Sequence, residues 1–222
     1  MKWSCSDLGV KVLVKIKKVL LGKEVAFIFG LLGALAAIGY FGDTFKAEPL
    51  YFDLNYTYHS PHQDDSYPLR EESILHSGDY YKLSFTPMLD SYVYLFQKDS
   101  SNRLFELFPM TRFKGKKVNN PNPAVKGKQN YYIPTERDSF KLDDQTGKEQ
   151  LYFYATKVAD TQLEKLLVQH RYDTDDAQVA PEPILAYLNS KGSASVLSHF
   201  NGITRLQICQ RGCVYVITFE HR

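Results

Sequence analysis

The sequence is poor in cysteine and tryptophan, with three cysteines and one tryptophan among 222 residues. A chain of this length can bury a hydrophobic core without a disulfide framework, so one ordinary domain with an appendage is expected. The aromatic residues are instead sixteen Tyr and fourteen Phe. Flat rings pack well on a pleated surface, and the composition therefore predicts a mainly β protein.

The folded part of the chain has no net positive charge. Residues 1–24 contain six Lys, one Asp and one Glu, a net charge of +4, whereas the whole chain carries +2. The rest of the chain therefore carries −2. This distribution argues against a nucleic-acid-binding face on the folded part, and no nucleic acid partner is predicted.

Motifs that mark common active sites are also missing. The sequence has no Gly-x-Ser-x-Gly elbow and no glycine-rich phosphate-binding loop. Three serines lie near His199, namely Ser193, Ser195 and Ser198, although a triad can also assemble from residues that are distant in sequence. The other isolated histidines, His170 and His221, are expected at the surface or at a sheet edge, as is His199. We predict no catalytic residue and no cofactor, so the protein is expected not to be an enzyme.

One segment offers metal-ligand types at close spacing. His59 and His62 are followed by Asp64 and Asp65, which supply nitrogen and oxygen atoms within a few residues. The spacing matches no cysteine-based or helix-based site, and a solvated polar loop is the preferred interpretation. No metal is predicted.

Residues 25–42 form a long run without a charged side chain. Eighteen helical residues rise about 27 Å, close to the roughly 30 Å of a bilayer's hydrocarbon core. Lysines precede the run and acidic residues follow it, so the positive-inside rule places residues 1–24 in the cytoplasm and the remainder outside. We predict a single-pass anchor in the cytoplasmic (inner) membrane of a bacterium, with the domain in the periplasm. A cleaved signal peptide ending near residues 34–36 is the alternative.

Small residues recur four apart within this run. Gly30 with Ala34, and Gly33 with Ala37, have the spacing that lets membrane helices approach closely. They permit a homodimer through the anchor, or they reflect the frequency of Gly and Ala in membrane helices.

Beyond the anchor, residues 43–70 are interpreted as a stalk and first strand, and residues 71–222 as a β-rich domain. Short strand-like runs separated by turn residues predict an antiparallel sandwich or a small barrel. One or two short helices are added, Thr161–His170 with Asp160 or Thr161 as cap and Pro183–Lys191.

The two downstream cysteines suggest a disulfide. Cys209 and Cys213 flank a Gln-Arg-Gly loop between the strand-like runs Ile203–Ile208 and Val214–Phe219. A three-residue hairpin loop with Gly212 in the left-handed conformation would make them cross-strand neighbours. A bond is favoured in an oxidising compartment, and a redox-active pair is the alternative.

An ordered series of motifs runs through the β-rich part. Its members are Gly78-Asp79-Tyr80, Tyr92-Val93-Tyr94-Leu95-Phe96-Gln97, Leu107-Phe108-Pro109, Asn122-Pro123, Tyr132-Ile133-Pro134, Phe140-Lys141-Leu142-Asp143, Gly147-Lys148-Glu149 and Leu151-Tyr152. The series, roughly residues 75–156, resembles a widespread bacterial family labelled a domain of unknown function. The resemblance implies a small β domain of envelope proteins, or one appended to caspase-like or other signalling modules, and it carries over no catalytic residue. Asn102 stands where the family often has Gly.

Between two strands lies a basic segment, Arg112–Lys128, which is predicted to be a polar crossing loop. It holds six cations and no acid, namely Arg112, Lys114, Lys116, Lys117, Lys126 and Lys128. These residues form a candidate binding surface for an acidic partner, an anionic polymer or lipid headgroups, with a solvated loop as the alternative.

Tyrosines alternate along several of the predicted strands. The set comprises Tyr80, Tyr81, Tyr92, Tyr94, Tyr131, Tyr132, Tyr152 and Tyr154. One face of them would make a binding surface if exposed, whereas core packing explains them equally well. The sequence as a whole predicts a membrane-anchored extracytoplasmic β domain that binds another envelope protein. The alternative is a cell-wall polymer-binding protein or hydrolase.

Overall fold

The computed structural model describes residues 48–63, 65–171 and 178–222. In these ranges the chain forms seventeen strands and two helices. The strands are β1 Leu50–His59, β2 Tyr67–Pro68, β3 Ile74–Leu75, β4 Tyr80–Pro87, β5 Ser91–Lys98, β6 Leu104–Phe108, β7 Met110–Phe113, β8 Lys116–Asn120, β9 Ala124–Val125, β10 Tyr131–Ile133, β11 Phe140–Lys141, β12 Gly147–Thr156, β13 Gln178–Val179, β14 Gly192–Ser193, β15 Ser195–Phe200, β16 Ile203–Ile208 and β17 Cys213–His221. The helices are α1 Thr161–His170 and α2 Pro181–Asn189.

The strands form two main sheets and a separate two-stranded ribbon. Sheet A has the order β10-β4-β1-β16-β15, with β2 beside β1 and β11 beside β4. Sheet B has the order β13-β6-β5-β12-β17-β14, with β9 beside β5 and β3 beside β17. The pairings are antiparallel except where β14 and β3 meet β17. Both sheets have open edges, so the described residues adopt the predicted mainly β fold without closing into the small barrel.

The core between the sheets follows from the two-residue period of the strands. In β1, Leu50, Phe52 and Leu54 are buried while the residues between them are half-buried, as expected for a strand with one face toward a core. Phe52 meets Phe153 of sheet B edge to face, with ring centroids 5.2 Å apart. The inward faces of the two sheets therefore share one aromatic-rich core, as in a sandwich.

Sheet B is covered on its other face as well. Tyr94 and Tyr154 pack there with Leu163 of α1 and Ile184 of α2 in a second core cluster. This double burial explains why β12 is buried continuously from Leu151 to Thr156, a pattern usual for strands with both faces covered. The domain is thus a three-layer arrangement of sheet, sheet and helices.

Both helices were predictable from local signals. α1 spans the predicted Thr161–His170, and the Asp160 carboxylate accepts a hydrogen bond from the Leu163 N–H at 3.1 Å as its N-terminal cap. α2 begins two residues earlier than predicted, with proline in its first turn, where the missing N–H costs no helical hydrogen bond.

The N-terminal predictions fall mostly outside the described residues, since the basic segment 1–24 and the anchor 25–42 both precede Glu48. Among the residues that the structure does describe, no helix has the length and apolar character needed to cross a membrane. The compact unit runs from Glu48 to Arg222. The first strand predicted within residues 43–70 is β1, and it is the middle strand of sheet A.

The predicted C-terminal hairpin is also wrong. β16 pairs with β1 and β15 in sheet A, whereas β17 pairs with β12 in sheet B. The loop between them is therefore a corner at which the chain changes sheets. Cys209 and Cys213 are joined across this corner by a disulfide, with Cα atoms 5.4 Å apart. Gly212 has φ +99°, the left-handed conformation predicted for it.

Candidate functional site

The basic segment that was predicted to be a loop is partly a β-ribbon. β7 and β8 pair in antiparallel fashion, with Phe113 opposite Lys116. The two residues between them, Lys114 and Gly115, both have positive φ, +48° and +75°. Two left-handed residues in a two-residue loop define a type I′ hairpin turn, whose twist matches that of the strands it joins.

Two contacts fix the ribbon to the sandwich, and one ribbon residue is buried. The Phe113 ring packs edge to face on Phe140 with centroids 5.3 Å apart. Val118 is buried, and the Asn120 side-chain amide donates to the Tyr132 carbonyl at 2.9 Å. The ribbon therefore presents its outer side chains from a fixed base.

Four of the six candidate cations lie on this ribbon, and all four are exposed, namely Arg112, Lys114, Lys116 and Lys117. None of them has an ion-pair partner among residues 48–63, 65–171 and 178–222. Arg112 and Lys117 are directly opposite in the ladder, and like charges in that relation repel. The four together are called the cationic ribbon below.

The other two candidate cations lie on the body of the domain. Lys126 pairs with Asp90, with Nζ and Oδ2 2.8 Å apart, and the same carboxylate accepts from the Gly127 N–H at 2.9 Å. Lys128 follows in a turn with φ +64°. The structure therefore divides the predicted surface, and only the cationic ribbon offers four exposed cations side by side.

Beside the ribbon lies a cleft of about 730 Å³. Aromatic rings, cations and carboxylates line it together. The aromatic side chains are Tyr81, Phe105, Phe113 and Phe140, the cations are Arg103, Arg112, Lys114, Lys141 and Arg171, and the carboxylates are Asp99, Glu106, Asp143 and Glu149.

Three of these carboxylates are matched by arginines. Asp99, in the turn between β5 and β6, accepts from the Arg103 backbone at 2.7 Å and from its Nε at 2.5 Å. The same guanidinium reaches Asp143 at 3.4 Å. In this turn Asn102 has φ +64°, a left-handed conformation that glycine and asparagine adopt more readily than other residues.

Glu106 is the third matched carboxylate. It is buried on β6 and forms an ion pair with Arg171. Burial nevertheless raises the pKa of Glu106 to about 7, with Arg171 acting in the opposite direction, because removing a carboxylate from water disfavours its charged form.

Glu149 has no such arginine among the described residues. It is 2% exposed and accepts hydrogen bonds from the Gln97 amide at 2.9 Å and from the Ser100 N–H at 3.3 Å. The Tyr81 hydroxyl donates to Gln97 in turn. Burial raises the pKa of Glu149 to about 7. A hydrogen-bonded chain thus runs from sheet A to a buried carboxylate in sheet B.

None of the eight tyrosines considered as a binding surface is exposed. Tyr81, Tyr94, Tyr152 and Tyr154 are buried, and the other four of the set are half-buried. The helical layer covers Tyr94, Tyr152 and Tyr154 on the outer face of sheet B, whereas Tyr81 lies in the core between the sheets.

The histidines differ in exposure and in the residues that they contact. His59 stacks on Tyr80 at 5.2 Å and His62 lies in an exposed turn, while Asp64 lies outside the described residues. Within the described ranges no group of three metal-ligating side chains forms. His199 is exposed on β15 as expected and contacts Thr204 Oγ1 at 2.9 Å. His221, also expected at the surface, is instead 1% exposed in β17.

Sequence reasoning missed the buried carboxylates. A weak signal exists, since Glu106 interrupts the apolar run of β6 and Glu149 occupies an inward position two residues before Leu151. An ionisable residue on the core side of a strand is costly unless it is satisfied, so such positions indicate a polar network.

Residues 74–159 match the family model described as Domain of unknown function (DUF4384). The predicted resemblance to a domain-of-unknown-function family is thereby confirmed. No curated protein and no solved structure matches the chain.

The DUF4384 region includes the ribbon, most of the cleft and strands β4 to β6 and β12. It leaves out β1, β16 and β17, which complete the two sheets. The compact unit is therefore larger than the DUF4384 region.

Proposed function

We propose that this chain is a membrane-anchored module of the bacterial envelope that binds another protein through the cationic ribbon and the adjacent cleft. The observation that carries the proposal is the ribbon itself. Four exposed cations on a short, anchored hairpin repel one another, and an anionic partner would relieve that repulsion.

The cleft indicates which chemistry the partner would present. Asp99, Asp143 and Glu106 are matched by arginines, whereas Arg112, Lys114 and Lys141 have no ion pair among the described residues. Aromatic rings line the same cleft. A protein segment with acidic residues around one apolar side chain would fit this surface. The apolar side chain would fill the cleft, and the acidic side chains would pair with the cations at its rim.

The placement in the envelope rests on sequence. The uncharged run 25–42 with lysines before it supports an anchor whose following domain is exported, and the Cys209–Cys213 disulfide is consistent with an oxidising compartment. The proposal therefore has the helix hold the domain close to the outer side of the inner membrane.

The test is site-specific photocrosslinking in intact cells with the full-length protein. A photoreactive residue replaces Thr111, which is exposed on the ribbon, so that capture does not depend on lysine chemistry. One envelope protein should be captured, and capture should fall at least tenfold when Lys114, Lys116 and Lys117 are changed to Gln. A photoreactive residue at Val168, which is 82% exposed on α1, should not capture it.

A matched variant controls for the change in net charge. Lys148, Lys165 and Arg211 are exposed and lie outside the ribbon, so changing these three to Gln removes the same charge elsewhere. Capture should be retained in this variant. Equal loss in both triple variants, or capture of no defined protein from Thr111, would refute a ribbon-mediated interaction.

The alternative of a cell-wall hydrolase has one observation in its favour, the two buried carboxylates with raised pKa. Glycosidases need two carboxylates that face each other across the substrate. Glu106 lies on the face of sheet B that carries Leu104 and the helices, whereas Glu149 lies on the face of Leu151, toward sheet A. The two therefore do not form such a pair, and the binding role is better supported.

A further inference from the structure

Ser77, His221 and Glu149 come together from three distant parts of the sequence. Ser77 is exposed, and its Oγ lies 3.1 Å from His221 Nε2. The other ring nitrogen, Nδ1, is buried, has no hydrogen-bond partner, and faces Glu149 Oε1 at 3.9 Å. A hydroxyl, an imidazole and a carboxylate in this order have the arrangement of a nucleophile, its base and the group that orients the base.

The serine is held on a tight turn. Residues 76–79 form it, with the Asp79 N–H donating to the His76 carbonyl at 2.9 Å and the His76 N–H donating to the Asp79 carboxylate at 2.8 Å. Gly78 has φ +90°, as the third residue of a type II turn requires. The Ser77 N–H donates to the Arg222 carbonyl at 2.9 Å, which ties the turn to the strand that carries His221.

The carboxylate determines which ring nitrogen carries the proton. An ionised Glu149 favours a proton on Nδ1, because Oε1 lies only 3.9 Å from this ring nitrogen and the negative charge attracts the N–H dipole. Nε2 is then left with a lone pair toward Ser77 Oγ. The serine O–H can donate to it, which is the state in which a histidine withdraws the proton of an attacking hydroxyl.

We propose that Ser77 is a nucleophile for acyl transfer from activated carboxylic esters, with His221 as its general base and Glu149 as a positioning residue. Ser77 Oγ forms a bond to the acyl carbon while its proton passes to His221 Nε2. The bond from that carbon to the leaving oxygen breaks, and the leaving group departs with the electron pair and takes the proton from His221 Nε2. Water then attacks the acyl-serine and passes a proton to His221, which returns it to Ser77 Oγ as the bond from Oγ to the acyl carbon breaks and the acid is released.

Stabilisation of the developing oxyanion is the weak part of this centre. The N–H groups of Ser77, Gly78 and Asp79 already donate to backbone carbonyls. Lys141 lies beside the turn, since a methyl group built on Gly78 would be 3.9 Å from its Cε, so its ammonium is the nearby positive charge. One missing oxyanion donor lowers rates by about 10²–10³-fold. The centre is therefore suited to reagents with good leaving groups.

The test uses the full-length protein and an alkyl fluorophosphonate at pH 8. In this reaction Ser77 Oγ bonds to phosphorus, fluoride leaves, and the proton passes to His221. Peptide mass spectrometry should find one adduct, on Ser77. Ser77→Ala should abolish it, and His221→Gln should slow labelling by about 100-fold or more, as expected for loss of a general base. Lys141→Met, an exposed change, should slow it by about tenfold.

The chain supplies its own control. His199 makes a similar histidine–hydroxyl contact, with Nδ1 2.9 Å from Thr204 Oγ1. Among the described residues, no carboxylate pairs with His199. Thr204 should therefore remain unlabelled. Adducts spread over several hydroxyls, labelling that persists in Ser77→Ala, or no adduct on Ser77 at all would overturn the proposal. Lys165→Gln, an exposed change on α1 away from the turn, should leave labelling unchanged.

The role of Glu149 is tested by the tautomer of His221, a property that a general loss of stability would not change. Nitrogen-15 NMR of the His221 imidazole should show the proton on Nδ1 at pH 8. In Glu149→Gln the proton should shift toward Nε2, and labelling of Ser77 should slow at least tenfold with circular dichroism unchanged. An unchanged tautomer would exclude Glu149 as the positioning residue.

Discussion

Replacing Glu149 with Gln should change how the stability of the domain depends on pH. Burial raises the pKa of Glu149 in the folded state from 4.5 to about 7. As the pH rises from about 4.5 to 7, the unfolded chain releases this proton first, so the free energy of unfolding falls. At about 1.4 kcal/mol per pKa unit, the loss is about 3 kcal/mol and is complete above pH 7. Gln has no proton to release and avoids this loss.

The measurement is urea unfolding of both proteins at pH 5 and pH 8. The difference in unfolding free energy, Glu149→Gln minus wild type, should be about 2–3 kcal/mol more positive at pH 8 than at pH 5. Comparing the two pH values cancels any constant change in the hydrogen bonds of Gln97. Asp144→Asn, which changes an exposed carboxylate in the preceding turn, is the control and should show no such difference. If the difference in unfolding free energy between Glu149→Gln and wild type did not depend on pH, or changed with pH in the opposite sense, the raised pKa of Glu149 would be refuted.

Four further predictions concern the sheet-changing corner, the turn of the ribbon and an exposed edge strand. Cys209→Ser should lower the unfolding free energy by about 2 kcal/mol in oxidising buffer, the chain-entropy estimate for so short a loop, and reductant should remove the difference from wild type. Gly212→Ala should lower it by more than about 3 kcal/mol, since a methyl group there would lie 2.6 Å from Tyr154 Cε2. Gly115→Ala, at φ +75° in open space, should lower it by only about 1 kcal/mol in the same unfolding assay. Leu197→Lys, on the exposed apolar edge strand β15, should reduce self-association in light scattering with little change in stability.

The existence of strands could be predicted from sequence better than their partners. The hairpin of β5 and β6 has a local sequence signal, because the turn residues 99–102 favour pairing of the two neighbouring strands. The runs Ile203–Ile208 and Val214–Phe219 look alike, yet each joins a different sheet. Their partners are chosen by burial against distant strands, which alternation within one run does not encode.

The candidate site shows the same limit. The cationic residues were found by composition, but the ribbon that presents them was not, because Lys116–Asn120 has a single apolar residue and no strand-like alternation. Ser77 and His221 are 144 positions apart, and Glu149 lies between them. Such a juxtaposition depends on the register of β12 with β17, which no local pattern specifies.

The pairing of β1 with β16 has a kinetic consequence. Leu50 lies opposite Ile208 in this ladder, and Asp53 is bound by Arg205 from 152 positions away. Closing so long a loop costs conformational entropy before these contacts can stabilise the folded state. Proteins dominated by such distant pairings therefore fold slowly. A ribosome-bound chain that ends within the DUF4384 region would hold β1 and β4 without β16, and the middle strand of sheet A would have one edge unpaired. Until residue 208 has been synthesised, that edge is open to other chains, so a chaperone that shields it should raise the yield of folded protein.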